Sequence, residues 1–292
     1  MKVTGFTIIR NAIKYDYPVL EAIQSVLPVC DEFIVSVGKS DDDTLALIKS
    51  IPSEKIKIME TVWDDSKRVG GLVLSDETNK VLDTIEKDTD WCFYIQSDEC
   101  IHEDDLKIIR EAMESNNNNK EVQGLLFGYK HFYGHYKYVG IGRRWYSNEI
   151  RIVRNDKNIR SYKDAQGFRL KNGNKLKVKK VNAFIYHYGW VKPPKAQQAK
   201  QESFHKMWHD DEWMKKNIKA TEEFDYSNID FLELYKGTHP KVYAKRIADA
   251  NWNFIYDKSK IKVSLKHRIL FFIEKTFGWR IGENKNYILL KD

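Results

Sequence analysis

Trp91-Cys92-Phe93-Tyr94-Ile95-Gln96-Ser97-Asp98-Glu99 is the stretch on which the reading of this chain turns. Five apolar residues in a row form a strand buried on both faces, the pattern of a strand inside a sheet covered by helices. The run stops abruptly at two adjacent carboxylates. At the carboxyl edge of a parallel sheet such groups face the crevice where ligands bind, and there they can hold a divalent cation.

The surroundings fit that reading. Upstream, Thr7-Ile8-Ile9, Phe33-Ile34-Val35-Ser36-Val37 and Lys55-Ile56-Lys57-Ile58-Met59 read as strands. Helices are predicted over about 17–27, from the cap segment Ser40-Asp41-Asp42-Asp43-Thr44 to about Lys49, and over about 72–87. A further helix opens at Glu103-Asp104-Asp105 and carries Leu106, Ile109 and Met113 on one face. Strands alternating with helices imply a mainly parallel sheet with right-handed crossovers. The loops after Ile9, Val37 and Ile95 should then share one crevice. Beyond Tyr129 the pattern changes. Residues 130–147 are aromatic and basic, Glu149 to Arg154 and Val181 to Tyr186 alternate as strands, and after Pro193-Pro194 the chain reads as helices and loops. The expected organisation is an α/β domain over 1–190 and a largely helical region over 191–292.

Composition narrows the function. Of 292 residues, 42% are hydrophobic and 31% charged, which suits a folded globular chain. No run approaches the roughly 20 apolar residues a membrane-spanning helix needs, and the N-terminus is too short and polar for a signal peptide. The three cysteines, Cys30, Cys92 and Cys100, have no zinc or redox spacing and read as reduced core residues of a cytoplasmic protein. The net charge of +7 is concentrated at one end, since residues 258–292 carry nine Lys/Arg against three Asp/Glu. That distribution argues against nucleic-acid binding. It suggests that the apolar and basic segment 260–280 makes peripheral contact with the inner face of a membrane.

With these motifs in place, residues 4–190 resemble the family 2 glycosyltransferases, which have the GT-A fold. The resemblance rests on Arg10-Asn11 after the first strand, Asp31-Glu32, the Ser40 to Thr44 segment, Asn79, Trp91 to Glu99, and the Arg151-Ile152-Val153-Arg154-Asn155 pattern. It implies an inverting, metal-dependent transfer of a sugar from a nucleotide-sugar donor to an acceptor hydroxyl, on a glycan or lipid-linked acceptor, in assembly of a bacterial surface polysaccharide. By the same resemblance Asp98 and His187 hold Mn²⁺ or Mg²⁺. Arg10, Asn11, Asp41, Asp42, Asp43, Asn79 and Gln96 contact the nucleotide, and Asp164 is the general base, with Glu99 as the competing candidate. Three departures stand out. Gln96 replaces an Asp of the usual Asp-x-Asp-Glu, Val37 stands where an Asp is common, and the usual His-Glu near the base is missing. They keep open a non-catalytic binding protein. A sugar-phosphate nucleotidyltransferase fits less well, because no glycine-rich loop follows the first strand. Glu202, His205 and His209 have helical spacing but read as a solvated helix face.

Overall fold

The computed structural model describes residues 1–218, 221–227 and 229–291. The strands are β1 (Val3–Ile9), β2 (Glu32–Gly38), β3 (Ile56–Thr61), β4 (Trp91–Tyr94), β5 (Glu99–Ile101), β6 (Gly124–Tyr133), β7 (His135–Gly140), β8 (Asn148–Arg154), β9 (Ile159–Tyr162), β10 (Gly167–Leu170), β11 (Leu176–Trp190), β12 (Leu232–Leu234) and β13 (Tyr287–Leu289). The helices are α1 (Val19–Val26), α2 (Thr44–Lys49), α3 (Leu72–Thr84), α4 (Leu106–Asn116), α5 (Pro194–Lys206), α6 (Asp211–Asn217), α7 (Ala244–Ala248) and α8 (Leu265–Phe277).

One sheet runs β12-β7-β6-β8-β4-β1-β2-β3, and β11 lies along the free edge of β6 and also pairs with β5 and β13. Its first-built half is parallel: β4, β1, β2 and β3 run the same way, each linked to the next in sequence by a helix. The other half is not. β8 runs antiparallel to both β4 and β6, and β6 to β7. The sheet is therefore mixed rather than mainly parallel. The reason is connection length. From β6 to β11 no helix separates consecutive strands, and β6 turns into β7 through the single residue Gly134, which only an antiparallel pair allows.

Alternation along β2 shows why the parallel half is apolar throughout. Phe33, Val35 and Val37 pack with α1 residues Val19, Ala22, Ile23 and Val26, and with Ile109 and Met113 of α4. Ile34 points the other way, into a cluster with Phe6, Ile8, Tyr94 and the α3 residues Val73, Val81 and Leu82. Both faces are covered, so every position of β1, β2 and β4 is buried, while the edge strand β3 stays half-exposed. The three cysteines are free and buried among these side chains.

The C-terminal region adds two strands beside its helices. β12 pairs with β7 and β13 with β11, so both belong to the main sheet. Tyr243 stacks on Tyr188 at 4.0 Å between ring centroids, and Tyr226, Ile229 and Leu232 close a cluster with Tyr133 and Trp145. The aromatic residues of 130–147 serve this packing: Phe132, Tyr133, Tyr136 and Trp145 are all buried.

Candidate functional site

The carboxyl ends of β1 and β4 open into a cavity of about 290 Å³. Arg10 enters from the end of β1, Gln96 and Asp98 from the end of β4, Asp164 from the loop between β9 and β10, and His187 from β11. The helix α5 roofs it with Lys200 and Phe204. Two more cavities adjoin. One, of about 520 Å³, shares Arg10 and Trp63 and is lined by Lys14, Lys39 and Asp41. The other, of about 530 Å³, shares Tyr146, Asp164 and Gln166 and is lined by Glu149 and Arg280. The loops after Ile9 and Ile95 thus meet in the first cavity, while the loop after Val37 faces the neighbouring one.

Asp98 sits at the floor. Its Oδ2 accepts a hydrogen bond from the Lys200 ammonium at 2.9 Å, and its Oδ1 lies 3.8 Å from Nε2 of His187. Burial alone would push this carboxyl up, but the Lys200 ammonium beside it, by its charge and its hydrogen bond, holds it well below the usual carboxylate range. Gly189 makes the approach possible, since a Cβ there would stand 2.7 Å from Asp98 Oδ2 and 2.8 Å from the His187 ring. Lys200 also donates to the Gly189 carbonyl at 2.9 Å.

The tautomer of His187 follows from its neighbour. Nε2 of His131 faces the Tyr146 carbonyl at 2.8 Å, and a carbonyl only accepts, so that nitrogen carries the proton. Burial holds both imidazoles below their ordinary pKa and hence neutral, His131 strongly so. Nδ1 of neutral His131 then accepts from Nδ1 of His187, 3.2 Å away, and leaves the His187 Nε2 lone pair toward the cavity.

These atoms do not make a good home for Mn²⁺ or Mg²⁺. A dication bridging Asp98 Oδ1 and His187 Nε2 would have one carboxylate whose charge Lys200 already neutralises. Two unit charges 4 Å apart repel by about 4 kcal/mol at an effective dielectric of 20, so a dication that close to the ammonium meets about twice that. Lys192, also buried, lies in the same region, and burial lowers its ammonium to about 7. Among the described residues, one set of three metal-capable side chains lies together, His102, Glu103 and Asp104. None of them lines the cavity, and the His102 nitrogens are engaged with the Asp104 N–H and the Thr238 hydroxyl.

Asp164 has a distinctive backbone. Its neighbours Lys163 and Ala165 both take left-handed φ values, 54° and 59°, a conformation that costs non-glycine residues of order 1 kcal/mol and persists only where surrounding contacts impose it. Those contacts are visible. Gln96 Nε2 donates to the Ala165 carbonyl at 3.1 Å, and Arg151 to the Gln166 carbonyl at 2.7 Å. Burial raises the Asp164 carboxyl above its ordinary value. The amide of Gln96 is therefore spent on holding this loop.

Glu99, the competing candidate base, faces inward. It is fully buried, pairs bidentately with Arg151 at 2.6 and 2.7 Å, and accepts from the Tyr129 hydroxyl and the Gln96 N–H. With every lone-pair direction filled it has no access to substrate. The side chain of Asn79 brackets the Ser161 backbone, accepting its N–H at 2.9 Å and donating to its carbonyl, and it lines none of the three cavities. Asn11, at φ 55°, accepts the Asp41 N–H at 2.7 Å and so ties the loop after β1 to the loop after β2. Asp42 holds the N–H groups of Lys14 and Thr44, and Asp43 is the exposed residue before α2. Of these loop residues, Asn11 and Asp41 line the second cavity; Asp42 and Asp43 line none of the three.

Sequence reasoning missed Lys200, Trp63 and Glu149. Trp63 carries the Arg10 guanidinium over its ring at 4.6 Å. Glu149 is buried with Oε2 unpartnered, and burial pushes its carboxyl up to about 7. The alternation of Glu149 and Arg151 within an otherwise apolar strand was the one available signal, because residues two apart share a face.

No protein-family model matches the chain, and no curated protein does. Distant likenesses exist among solved structures. Staphylococcus aureus TarS matches at 15% identity over 76% of this chain and 41% of that one, with a TM-score of 0.41. Its 1–349 fragment in complex with UDP matches at 15% over 70% and 64%, with a TM-score of 0.42. Glucosyl-3-phosphoglycerate synthase from Mycobacterium tuberculosis, in complex with Mn²⁺, UDP and phosphoglyceric acid, matches at 18% over 45% and 43%, with a TM-score of 0.29. The chain spans 41 to 64% of the length of the TarS chains it matches. At this distance the likenesses assign the chain to no family at the level of sequence.

Proposed function

We propose that this chain is a glycosyltransferase that moves a sugar from a nucleoside-diphosphate donor to an acceptor hydroxyl. The observation that carries the reading is the cavity at the carboxyl ends of β1 and β4, with cationic groups on one side and a half-buried carboxylate on a constrained loop facing them. The cation side suits a leaving diphosphate, on which charge develops as the bond to the anomeric carbon breaks. The carboxylate side suits proton removal from the attacking hydroxyl.

In this mechanism Asp164 accepts the acceptor's proton as its oxygen bonds to the anomeric carbon. The diphosphate departs with the electrons of the broken bond toward Lys200 and Arg10. Of the two carboxylates lining the cavity, Asp98 is committed to Lys200. A single displacement with inversion follows, since no second carboxylate is available as a nucleophile among the described residues. The second cavity, with Trp63, Lys14 and Asp41, suits the nucleoside, and the third, beyond Asp164, suits the acceptor.

The test is release of nucleoside diphosphate from UDP-, GDP- and dTDP-sugars. Asp164→Asn should lower turnover by about 10²-fold or more without weakening donor binding. Unchanged turnover would remove Asp164 from the role, and no binding or release with any donor would remove the transferase reading.

We also propose that α8 rests on an anionic membrane surface and brings a lipid-linked acceptor to the third cavity. Leu265, Ile269 and Phe272 lie on one exposed helical face, continued by exposed Phe277 and Trp279. Lys262, Lys266, Arg268 and Lys275 flank it. Among the described residues no helix is long and apolar enough to cross a membrane, and an apolar stripe edged with cations is the pattern of a helix lying in the interface. Arg280, just beyond α8, lines the third cavity.

A further inference from the structure

The cation nearest the end of β4 comes from α5, a hundred residues further along the chain. We propose that Lys200 is the built-in cation of this site, docked on Asp98 where a divalent ion would otherwise bind, and that it takes the donor's diphosphate directly, so that donor binding proceeds without metal. The identity of the diphosphate rests on the transferase reading above. The cation rests on the geometry of this chain.

Three features carry it. First, Lys200 is a built part of the cavity wall: only 8% exposed, it is held by Asp98 and the Gly189 carbonyl, each at 2.9 Å. These contacts use two of its three N–H donors, and the third remains for an oxygen in the cavity that Lys200 lines. Second, the ion pair neutralises Asp98, the residue on which a metal site here would depend. His187, with its Nδ1 proton committed to His131, contributes only a neutral lone pair. Third, a second cation lines the same cavity, Arg10, whose guanidinium also pairs with Asp65 at 2.7 Å. Lys192, 1% exposed, sits close enough to act on both Lys200 and Asp98, and burial lowers its ammonium to about 7, so that an anion bound nearby would draw a proton onto it. The ring of Tyr17 lies 5.2 Å below the Lys200 ammonium and 4.8 Å from that of Lys192, an aromatic face that favours two cations in one place. A site built around a bound dication would be expected to present clustered carboxylates instead.

Calorimetric titration of the full-length chain tests this, with UDP, GDP and inorganic pyrophosphate as probes, in EDTA and in excess Mn²⁺. Wild type should bind one nucleoside diphosphate equally well in both. Lys200→Met should lose affinity by about tenfold or more in EDTA, the loss of one charge-assisted hydrogen bond to a phosphate. Because that variant leaves Asp98 buried without a partner, the double variant Asp98→Asn/Lys200→Met, which buries no lone charge, should show the same loss while unfolding at a wild-type temperature. A diphosphate that binds only with Mn²⁺ and is indifferent to Lys200→Met overturns the inference. Failure of the transferase reading looks different: pyrophosphate would bind in EDTA in a Lys200-dependent way while no nucleotide did.

Discussion

Asp98 and Glu99 are neighbours with opposite fates, and the difference comes from chain geometry. Asp98 lies in a turn that the Glu99 N–H closes on the Gln96 carbonyl at 3.0 Å, while Glu99 opens β5 and is held there by pairing with β11. Asp98 faces the crevice, and Glu99 points inward to Arg151. Breaking that buried pair leaves an uncompensated charge, so Glu99→Gln should destabilise the fold by about 3–5 kcal/mol, read from denaturant unfolding. Glu149 makes a different prediction. Its carboxyl titrates at about 7 in the folded chain against 4.5 ordinarily. Below both values folded and unfolded chains hold the proton alike; between them the folded chain holds more. Stability therefore falls as pH rises from about 4.5 to about 7, by up to about 3 kcal/mol. Glu149→Gln should abolish that fall and be the more stable protein at pH 8. A wild-type slope in the variant would show that Glu149 is not the group responsible. In the sequence Asp98 was legible because a buried strand ended on it. Lys200 and Glu149 were not, because their roles exist only once α5 and β8 are packed against β4, and local sequence carries no mark of that contact.

Elements were legible where their periodicity was clean. From β1 to α4 the elements lie within a few residues of where pattern and capping put them, except β5, whose three residues are too few to show a period. The hairpin of β6 and β7 escaped because its aromatic residues suit a ligand platform as readily as a core, and only the packing partners decide. The parallel expectation failed at the same place, where helices cease to intervene. At this scale α8 offers the clearest test. Phe272 is 65% exposed, so Phe272→Glu should leave the unfolding temperature unchanged. It should also markedly reduce co-sedimentation with vesicles containing phosphatidylglycerol, as should raised salt. Binding to neutral vesicles as strong as to anionic ones would contradict the charge argument.

At the scale of the molecule, packing crosses the expected division at residue 190. β12 and β13 complete the sheet, and Tyr226, Tyr243 and Tyr287 fill clusters shared with β6, β8 and β11. A fragment of residues 1–190 would expose those faces, so it should show no cooperative unfolding transition by calorimetry, whereas the whole chain should show one. Two independent transitions would restore the two-domain view. The central claim is that the cavity between β1, β4 and α5 receives a nucleoside-diphosphate sugar. The measurement that tests it most directly is titration of the wild-type chain and of Arg10→Ala with UDP-, GDP- and dTDP-sugars. The account predicts saturable binding of one donor class by wild type, lost or sharply weakened in the variant. No binding of any donor, or binding indifferent to Arg10, would contradict it.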